Sequence, residues 1–137
     1  MRIRKIGPGE AAPAVELARR LDLDYPGLDA DALWVAEEGG EVVGLVALKR
    51  HPDGLELCAL GVDPARRGRG AAKALVEALM AEAPGDVHLA TVIPAFFETC
   101  GFVRTAETPR AFLEKRETSW CEGCDRSRCT VMRRKAP

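Results

Sequence analysis

The chain has 137 residues, of which 47% are apolar and 30% charged, and its formal net charge is -1. This size and composition predict a single domain over residues 1–137 and exclude disorder on a large scale. So small a net charge provides no basic field, and we therefore expect neither nucleic acid nor a membrane surface as a partner. No apolar run approaches the ~20 residues of a membrane span, and no signal-like apolar core follows the basic first residues, so we expect a cytoplasmic protein.

The first half of the chain predicts a helix followed by three strands. Apolar residues at helical spacing predict the helix over residues 10–21, with a polar, acidic loop after it. Apolar runs separated by tight, glycine-containing turns then predict strands at residues 33–37, 42–48 and 55–62. Because the turns are short, these strands should form an antiparallel meander.

The second half predicts two further helices between extended segments. The helices are expected at residues 71–83 and 94–100, each ended by a nearby glycine. The extended segments are expected at residues 87–92, 102–103 and 130–132. Together the elements predict an α+β or mixed α/β sheet with helices on its faces.

The segment Arg67-Gly68-Arg69-Gly70-Ala71-Ala72 joins the strand that ends at Val62 to the helix that follows. At such a helix start, backbone N–H groups without helical partners and the positive end of the helix dipole favour a phosphate. The two glycines allow a close approach, and the neighbouring arginines add positive charge. A solvated, arginine-rich helix start is the alternative.

Five cysteines in a chain with no export signal do not favour a disulfide framework. Cys58 and Cys100 are expected to be small buried hydrophobes. Cys121, Cys124 and Cys129 form a C-x2-C-x4-C pattern in a cysteine-rich segment at about residues 107–137. Three thiolates suit zinc but leave a closed site one ligand short, so a fourth ligand such as His51, His88, Cys100 or water is required. The alternative is a reduced, metal-free cluster.

The loop and a later segment together resemble the GNAT family of N-acetyltransferases. The run from Arg67 to Ala72 resembles the family's R/Q-x-x-G-x-G/A signature, and the segment 94–102 resembles its "fYek-GF" segment. The order of the elements is similar over residues 1–106. The resemblance implies a GNAT-like mixed, mostly antiparallel sheet with helices on both faces.

The resemblance further implies acetyl-CoA as cosubstrate. The amides from Arg67 through Gly68, Arg69, Gly70 and Ala71 to Ala72 would hold the pyrophosphate. Leu60, Gly61 and Val62 would pair with the pantetheine arm, as a strand edge pairs with an extended ligand. Phe96 and Phe97 would lie beside the cofactor, although core packing would also explain two adjacent rings.

In this family a neutral amine attacks the thioester directly, which implies a base. Glu56 is the candidate, since it lies on the strand where the family often places a carboxylate; an exposed strand-end glutamate is the alternative. By strand alternation, Glu56, Cys58 and Leu60 should share one face, with Ala59 on the other. Phe97 stands where the family often has a proton-donating tyrosine and cannot donate a proton. Tyr25, the only tyrosine, is then the candidate donor, unless it merely packs or solvent protonates the thiolate.

The "FFe--GF" pattern at Phe96-Phe97, the Thr108-Pro109-Arg110 segment and the terminal cysteines resemble acetyltransferases of the N-acetylglutamate synthase type. This narrower resemblance implies an amino acid such as glutamate as the small-molecule amine acceptor. The alternative is a non-catalytic acyl-CoA-binding or metal-responsive interaction module, which the phenylalanine at position 97 and the cysteines motivate. A homodimer stays open.

Overall fold

Three helices and seven strands make up the part of the chain that the computed structural model describes, which is residues 1–7, 9–106 and 129–136. The helices are α1 (Ala12–Arg20), α2 (Ala71–Glu82) and α3 (Pro94–Thr99). The strands are β1 (Arg2–Lys5), β2 (Ala32–Glu38), β3 (Glu41–His51), β4 (Gly54–Val62), β5 (Val87–Thr91), β6 (Val103–Arg104) and β7 (Thr130–Arg134). Single turns of 3-10 helix lie at Leu28–Ala30 and Pro64–Arg66.

Hydrogen bonds connect the strands in the order β1-β2-β3-β4-β5-β7-β6. The pairs β1–β2, β2–β3, β5–β7 and β6–β7 are antiparallel, whereas β4 and β5 run parallel. The two-residue connection between β3 and β4 also requires antiparallel neighbours. The predicted mixed α/β fold with a mostly antiparallel sheet is therefore confirmed. No helix in the described ranges is long and apolar enough to cross a membrane.

The described residues cluster into two compact units. The first comprises residues 1–49 and 57–83, and the second comprises residues 50–56 with the described residues from 84 to 136. Both β3 and β4 contribute residues to each unit. The single domain expected from chain length stays a prediction.

In the first unit, α1 covers one face of the strands. Pro13 opens this helix, where a missing N–H costs nothing, and Arg19 and Arg20 suit its negative C-terminal end. Its apolar stripe packs into a buried cluster with alternate residues of β2 and β3. The cluster consists of Ala14, Leu17, Ala18, Tyr25, Leu28, Leu33, Val35, Leu45, Ala47 and Cys58.

The intervening residues of the same strands face α2. Trp34 is 2% exposed, and its indole N–H donates to Glu82 Oε2 over 2.9 Å, so this large ring is buried without losing its hydrogen bond. At Gly44, an added Cβ would lie 3.2 Å from Leu75 Cδ1, which shows how closely α2 approaches the sheet. Helices thus cover both faces of β2 and β3.

Strand β4 is irregular at Ala59, which has a left-handed φ of 52°. Cys58 and Ala59 are consecutive, yet both pack against the cluster beneath α1. The expectation that Ala59 lies opposite Cys58 is therefore wrong, because a left-handed residue interrupts the two-residue period of a strand. Alternation from Cys58 to Leu60 does not carry through this break.

Beyond the irregularity, Gly61 lies directly against the segment that follows α1. An added Cβ there would overlap Leu23 Cδ1 and lie 2.9 Å from Leu21 Cδ1. A side chain at this position would force the ends of the Leu21 and Leu23 side chains to move.

The second unit is built on β5, β7, β6 and α3. Strand β7 lies between β5 and β6, although it follows both in the chain. Gly101 ends α3 with a φ of 83°, and the chain then returns through buried Phe102. The guanidinium of Arg134 in β7 donates to the Cys100 carbonyl over 2.9 Å, which fixes the end of α3 to the sheet.

Replacing Gly61 by alanine should lower the free energy of unfolding by about 1–3 kcal/mol, because the new methyl group overpacks the contact with Leu21 and Leu23. Urea denaturation followed by circular dichroism measures the change. Gly54→Ala in the same strand is the matched control, since an added Cβ there meets nothing within 4 Å. Equal stability of the two variants would contradict the close approach at Gly61.

Candidate functional site

The loop between β4 and α2 is held by its own backbone and side chains. The Asp63 N–H donates to the Val43 carbonyl over 2.7 Å, and Asp63 Oδ1 accepts from the Ala65 N–H over 3.0 Å. Arg67 Nε donates to the Val62 carbonyl over 3.3 Å. The predicted loop is therefore an ordered connection with a defined path.

Gly68 and Gly70 both adopt left-handed φ angles, of 83° and 78°. An added Cβ at either position would meet nothing within 4 Å, so the space beside the loop is open. The left-handed φ angles therefore explain why glycine occupies both positions. Gly70 is the N-cap of α2, and no side chain in the described part of the chain caps this end. The first helical hydrogen bond runs from the Ala74 N–H to the Gly70 carbonyl over 3.0 Å.

The N–H groups of Ala71, Ala72 and Lys73 consequently have no acceptor within the helix. They lie at the positive end of a helix of twelve residues, where a negative group is favoured. Ala71 is buried and Ala72 is half-buried, so small residues line the start of the helix as the sequence predicts. This end of α2 can bind a phosphate.

Two of the loop arginines are paired with carboxylates of the turn between β2 and β3. Arg66 lies 3.2 Å from Asp63 Oδ2 and 3.4 Å from Glu41 Oε2. Arg69 Nη1 lies 3.0 Å from both carboxylate oxygens of Glu38. The positive charge predicted for the loop is therefore partly neutralised, which leaves the amides as its main anion-binding groups. Glu41 and Glu38 carry no local signal in the sequence, because they lie about 25–31 residues from their arginines.

Glu56, the candidate base, is only 2% exposed. Its Oε1 lies 2.8 Å from Nε2 of His51, whose side chain is 17% exposed. The alternative of an exposed strand-end glutamate is therefore wrong. From the sequence, His51 is a candidate only for a fourth zinc ligand. Its contact with Glu56 could have been predicted from the two-residue turn between β3 and β4, which brings the ends of the two strands together.

Further charged groups of the second unit stand in register with Glu56. His88 of β5 is the parallel partner of Glu56, and Arg133 of β7 is the antiparallel partner of His88. Because register partners project from the same face, a carboxylate, two imidazoles and a guanidinium share one face of this unit.

The other candidate catalytic residue, Tyr25, is 8% exposed and belongs to the first unit. Its hydroxyl donates to Asp31 Oδ2 over 2.5 Å. Lys49 Nζ lies 4.9 Å from the centre of the Tyr25 ring and 3.8 Å from Asp31 Oδ2. Tyr25 thus lies in a hydrogen-bonded and cation–π cluster in addition to the apolar cluster beneath α1.

Phe96 and Phe97 are edge-to-face neighbours with ring centres 5.0 Å apart. Phe97 is 5% exposed and packs at 5.9 Å against Phe102, whereas Phe96 is half-buried. Core packing therefore explains Phe97, and Phe96 keeps an accessible edge.

Cys58 and Cys100 are buried, as predicted. Cys129 is half-buried, whereas Cys121, Cys124 and the segment 108–110 lie outside the described residues. Within the described ranges, no three His, Cys, Asp or Glu side chains are grouped in a way that would hold a metal ion, so those ranges lend zinc no support.

Comparisons with known proteins agree with this architecture. N-acetyltransferase family 8 member 2 of Rattus norvegicus is 47% identical over 55 residues, which are 36% of this chain and 24% of that protein. N-acetylglutamate synthase from Neisseria gonorrhoeae, solved with coenzyme A and N-acetyl-glutamate, superposes with a TM-score of 0.77 at 13% identity, over 100% of this chain and 36% of that chain. Rv2747 from Mycobacterium tuberculosis, solved in complex with CoA, gives a TM-score of 0.70 at 23% identity, over 98% and 99%. At these identities the solved structures establish the fold.

The family comparison goes further than the fold. The model of the acetyltransferase (GNAT) family matches residues 8–102, which include α1, the three central strands, the loop and α3. Since this range is more than half of the chain, the protein belongs to the acetyltransferase (GNAT) family.

Proposed function

We propose that this protein transfers an acetyl group from acetyl-CoA to a small-molecule amine by direct attack. The observation that carries the proposal is the uncapped start of α2, with two left-handed glycines before it, in a member of this family. Solved structures of similar fold that contain coenzyme A support the choice of cosubstrate.

The loop would bind the diphosphate of acetyl-CoA through its backbone. The amides from Arg67 to Ala72 supply donors that a phosphate can accept from, and the open space beside Gly68 and Gly70 gives room for it. The backbone of Leu60, Gly61 and Val62 would pair with the pantetheine arm. Phe96, with its accessible edge, is the better placed of the two phenylalanines to lie beside the cofactor.

The reaction requires the acceptor amine to lose a proton before it attacks. Glu56 is the proposed base, because a buried carboxylate in a strand is rigidly placed for proton transfer. A backbone N–H near Val62 would stabilise the oxyanion that develops on the thioester carbonyl. The leaving thiolate then takes a proton from Tyr25 or from solvent; for Tyr25 the hydroxyl must first exchange its hydrogen bond with Asp31.

Glutamate is the first acceptor to test, since the N-acetylglutamate synthase structure of similar fold contains N-acetyl-glutamate. A thiol-release assay should compare glutamate, other amino acids and polyamines at one acetyl-CoA concentration. Thiol release with at least one acceptor supports the proposal. Tight binding of acetyl-CoA without thiol release for any acceptor would favour the non-catalytic acyl-CoA-binding module. The buried Phe97, which has no hydroxyl group to donate a proton, supports that alternative.

Replacing Gly70 by alanine should weaken coenzyme A binding by at least about tenfold, equivalent to 1.4 kcal/mol, because the added methyl group enters the space of the diphosphate and strains the loop. Isothermal titration calorimetry measures the affinity. Gly27→Ala is the matched control, since Gly27 is also a left-handed N-cap with nothing within 4 Å of an added Cβ. Equal losses of affinity would show a general effect of backbone strain.

Replacing Glu38 by glutamine should tighten coenzyme A binding by about two- to fivefold, which corresponds to the small energy of an exposed ion pair. The change releases Arg69 from its carboxylate partner and makes it available to the anionic cofactor. The dependence of affinity on salt should steepen as well. Glu16→Gln, which removes a carboxylate 4.0 Å from Arg19, controls for net charge and should leave the affinity unchanged.

Replacing Glu56 by glutamine should lower kcat by about 10²- to 10⁴-fold, the usual contribution of general base catalysis. Glutamine keeps the shape and can still accept a hydrogen bond from His51, so coenzyme A affinity should persist. Asp53→Asn, in the exposed turn three residues earlier, is the matched control for the lost charge. Full activity of the Glu56→Gln enzyme would remove Glu56 from the mechanism.

A further inference from the structure

We propose that His51 is the positioning residue of the base, and that its Nε2–H holds the Glu56 carboxylate in place for proton transfer. The inference rests on the proposed role of Glu56. Its starting point is the 2.8 Å distance between His51 Nε2 and Glu56 Oε1 in a site where the carboxylate is 2% exposed.

Burial makes this contact important. A carboxylate taken out of water must recover its lost hydration through hydrogen bonds, or it cannot stay ionised. An ionised carboxylate only accepts hydrogen bonds, so the proton between the two atoms then belongs to Nε2 of His51. His51 therefore provides the donor that lets Glu56 act as a base inside the protein.

The hairpin fixes the geometry. His51 is the last residue of β3 and Glu56 the third residue of β4, with only Pro52 and Asp53 between the strands. Both side chains project from regular strand backbone, so their relative position depends on a short connection whose first residue has a fixed φ. Such a pair is preorganised before substrate arrives.

Glu56 takes the proton and His51 only holds the carboxylate. The acceptor ammonium loses a proton to Glu56, so that an N–H bond breaks and an O–H bond forms on the carboxyl group. The free amine attacks the acetyl carbonyl carbon, so that a C–N bond forms and the C–S bond breaks. The nitrogen loses its second proton to water as the amide forms, and the coenzyme A thiolate takes a proton from water or from Tyr25, which regains its own from water. The proton on His51 Nε2 stays in place throughout, and Glu56 returns its proton to water before the next turnover.

Other ionisable groups lie on the same face of the sheet as Glu56, and their effects must be distinguished from that of His51. His88 is the register partner of Glu56 on β5, and Arg133 is the register partner of His88 on β7. The His51 contact is directional, with 2.8 Å between Nε2 and Oε1. Variants of His51 should therefore respond to hydrogen-bonding capacity rather than to charge alone.

The kinetic test uses the full chain and two variants of His51. His51→Leu removes the donor and should lower kcat for acetyl transfer at least about tenfold, with the KM for acetyl-CoA unchanged. His51→Gln keeps an N–H donor the same number of bonds from Cα, on a more flexible side chain, and should recover part of that loss. Arg50→Gln is the matched control, because it removes a positive charge from the neighbouring exposed residue of the same strand and should retain wild-type kcat and pH profile.

A second measurement locates the ring proton of His51 that the hydrogen bond to Glu56 requires. Long-range ¹H–¹⁵N spectra of the labelled wild-type protein should show a proton on Nε2 of His51. A His51 ring without a proton on Nε2 would overturn the inference, as would a His51→Leu enzyme with the kcat and pH profile of Arg50→Gln. Should His51→Leu fail to fold, His51→Gln and the spectrum decide the question.

The two proposals fail in different ways. If wild-type protein binds coenzyme A but acetylates no acceptor, the proposed function is refuted and the positioning role falls with it. If wild type is active and Glu56→Gln is impaired while His51→Leu is not, the function stands and only the role of His51 is lost.

Discussion

Backbone amides at the start of α2 impose the constraint on which the proposed chemistry depends. These N–H groups cannot be satisfied within the helix, and here no side chain of the described residues caps them. A serine or aspartate at the N-cap would stabilise a helix by only about a few tenths of a kcal/mol relative to glycine, and the left-handed φ of Gly70 favours glycine at this position. The fold thus forgoes a local stabilising interaction and keeps donors available for an anion.

The surroundings of the loop are consistent with this arrangement. Asp63 and Arg67 fix the loop to the strands through hydrogen bonds, so the amides are ordered without a ligand. Glu41 and Glu38 form ion pairs with Arg66 and Arg69. Without these pairs the surface beside the loop would be strongly positive. A bound diphosphate would compete with these exposed ion pairs at little cost, because each is worth at most about 1 kcal/mol.

Strand β4 combines three roles over nine residues. Its regular first part holds Glu56 in a buried position, the left-handed Ala59 interrupts the pleat, and Gly61 then allows the close approach of Leu21 and Leu23. A non-glycine residue in this conformation costs about 1–2 kcal/mol, which the packing of Cys58 and Ala59 beneath α1 offsets. Strain of this kind is characteristic of functional segments.

Local patterns in the sequence were sufficient to predict the helices, most strands and the glycine-containing loop before α2, because hydrophobic periodicity, glycines and prolines act over a few residues. Residues 71–82 and 94–99 are helical within one residue of the predicted ends, and the glycines of the loop before α2 have left-handed φ angles. Tertiary structure alone decided the irregularity at Ala59, the insertion of β7 between β5 and β6, the carboxylate partners of Arg66 and Arg69, and the burial of Glu56 against His51. Most of these features depend on residues far apart in the chain, and all of them depend on which elements pack together, so no periodicity within one segment encodes them.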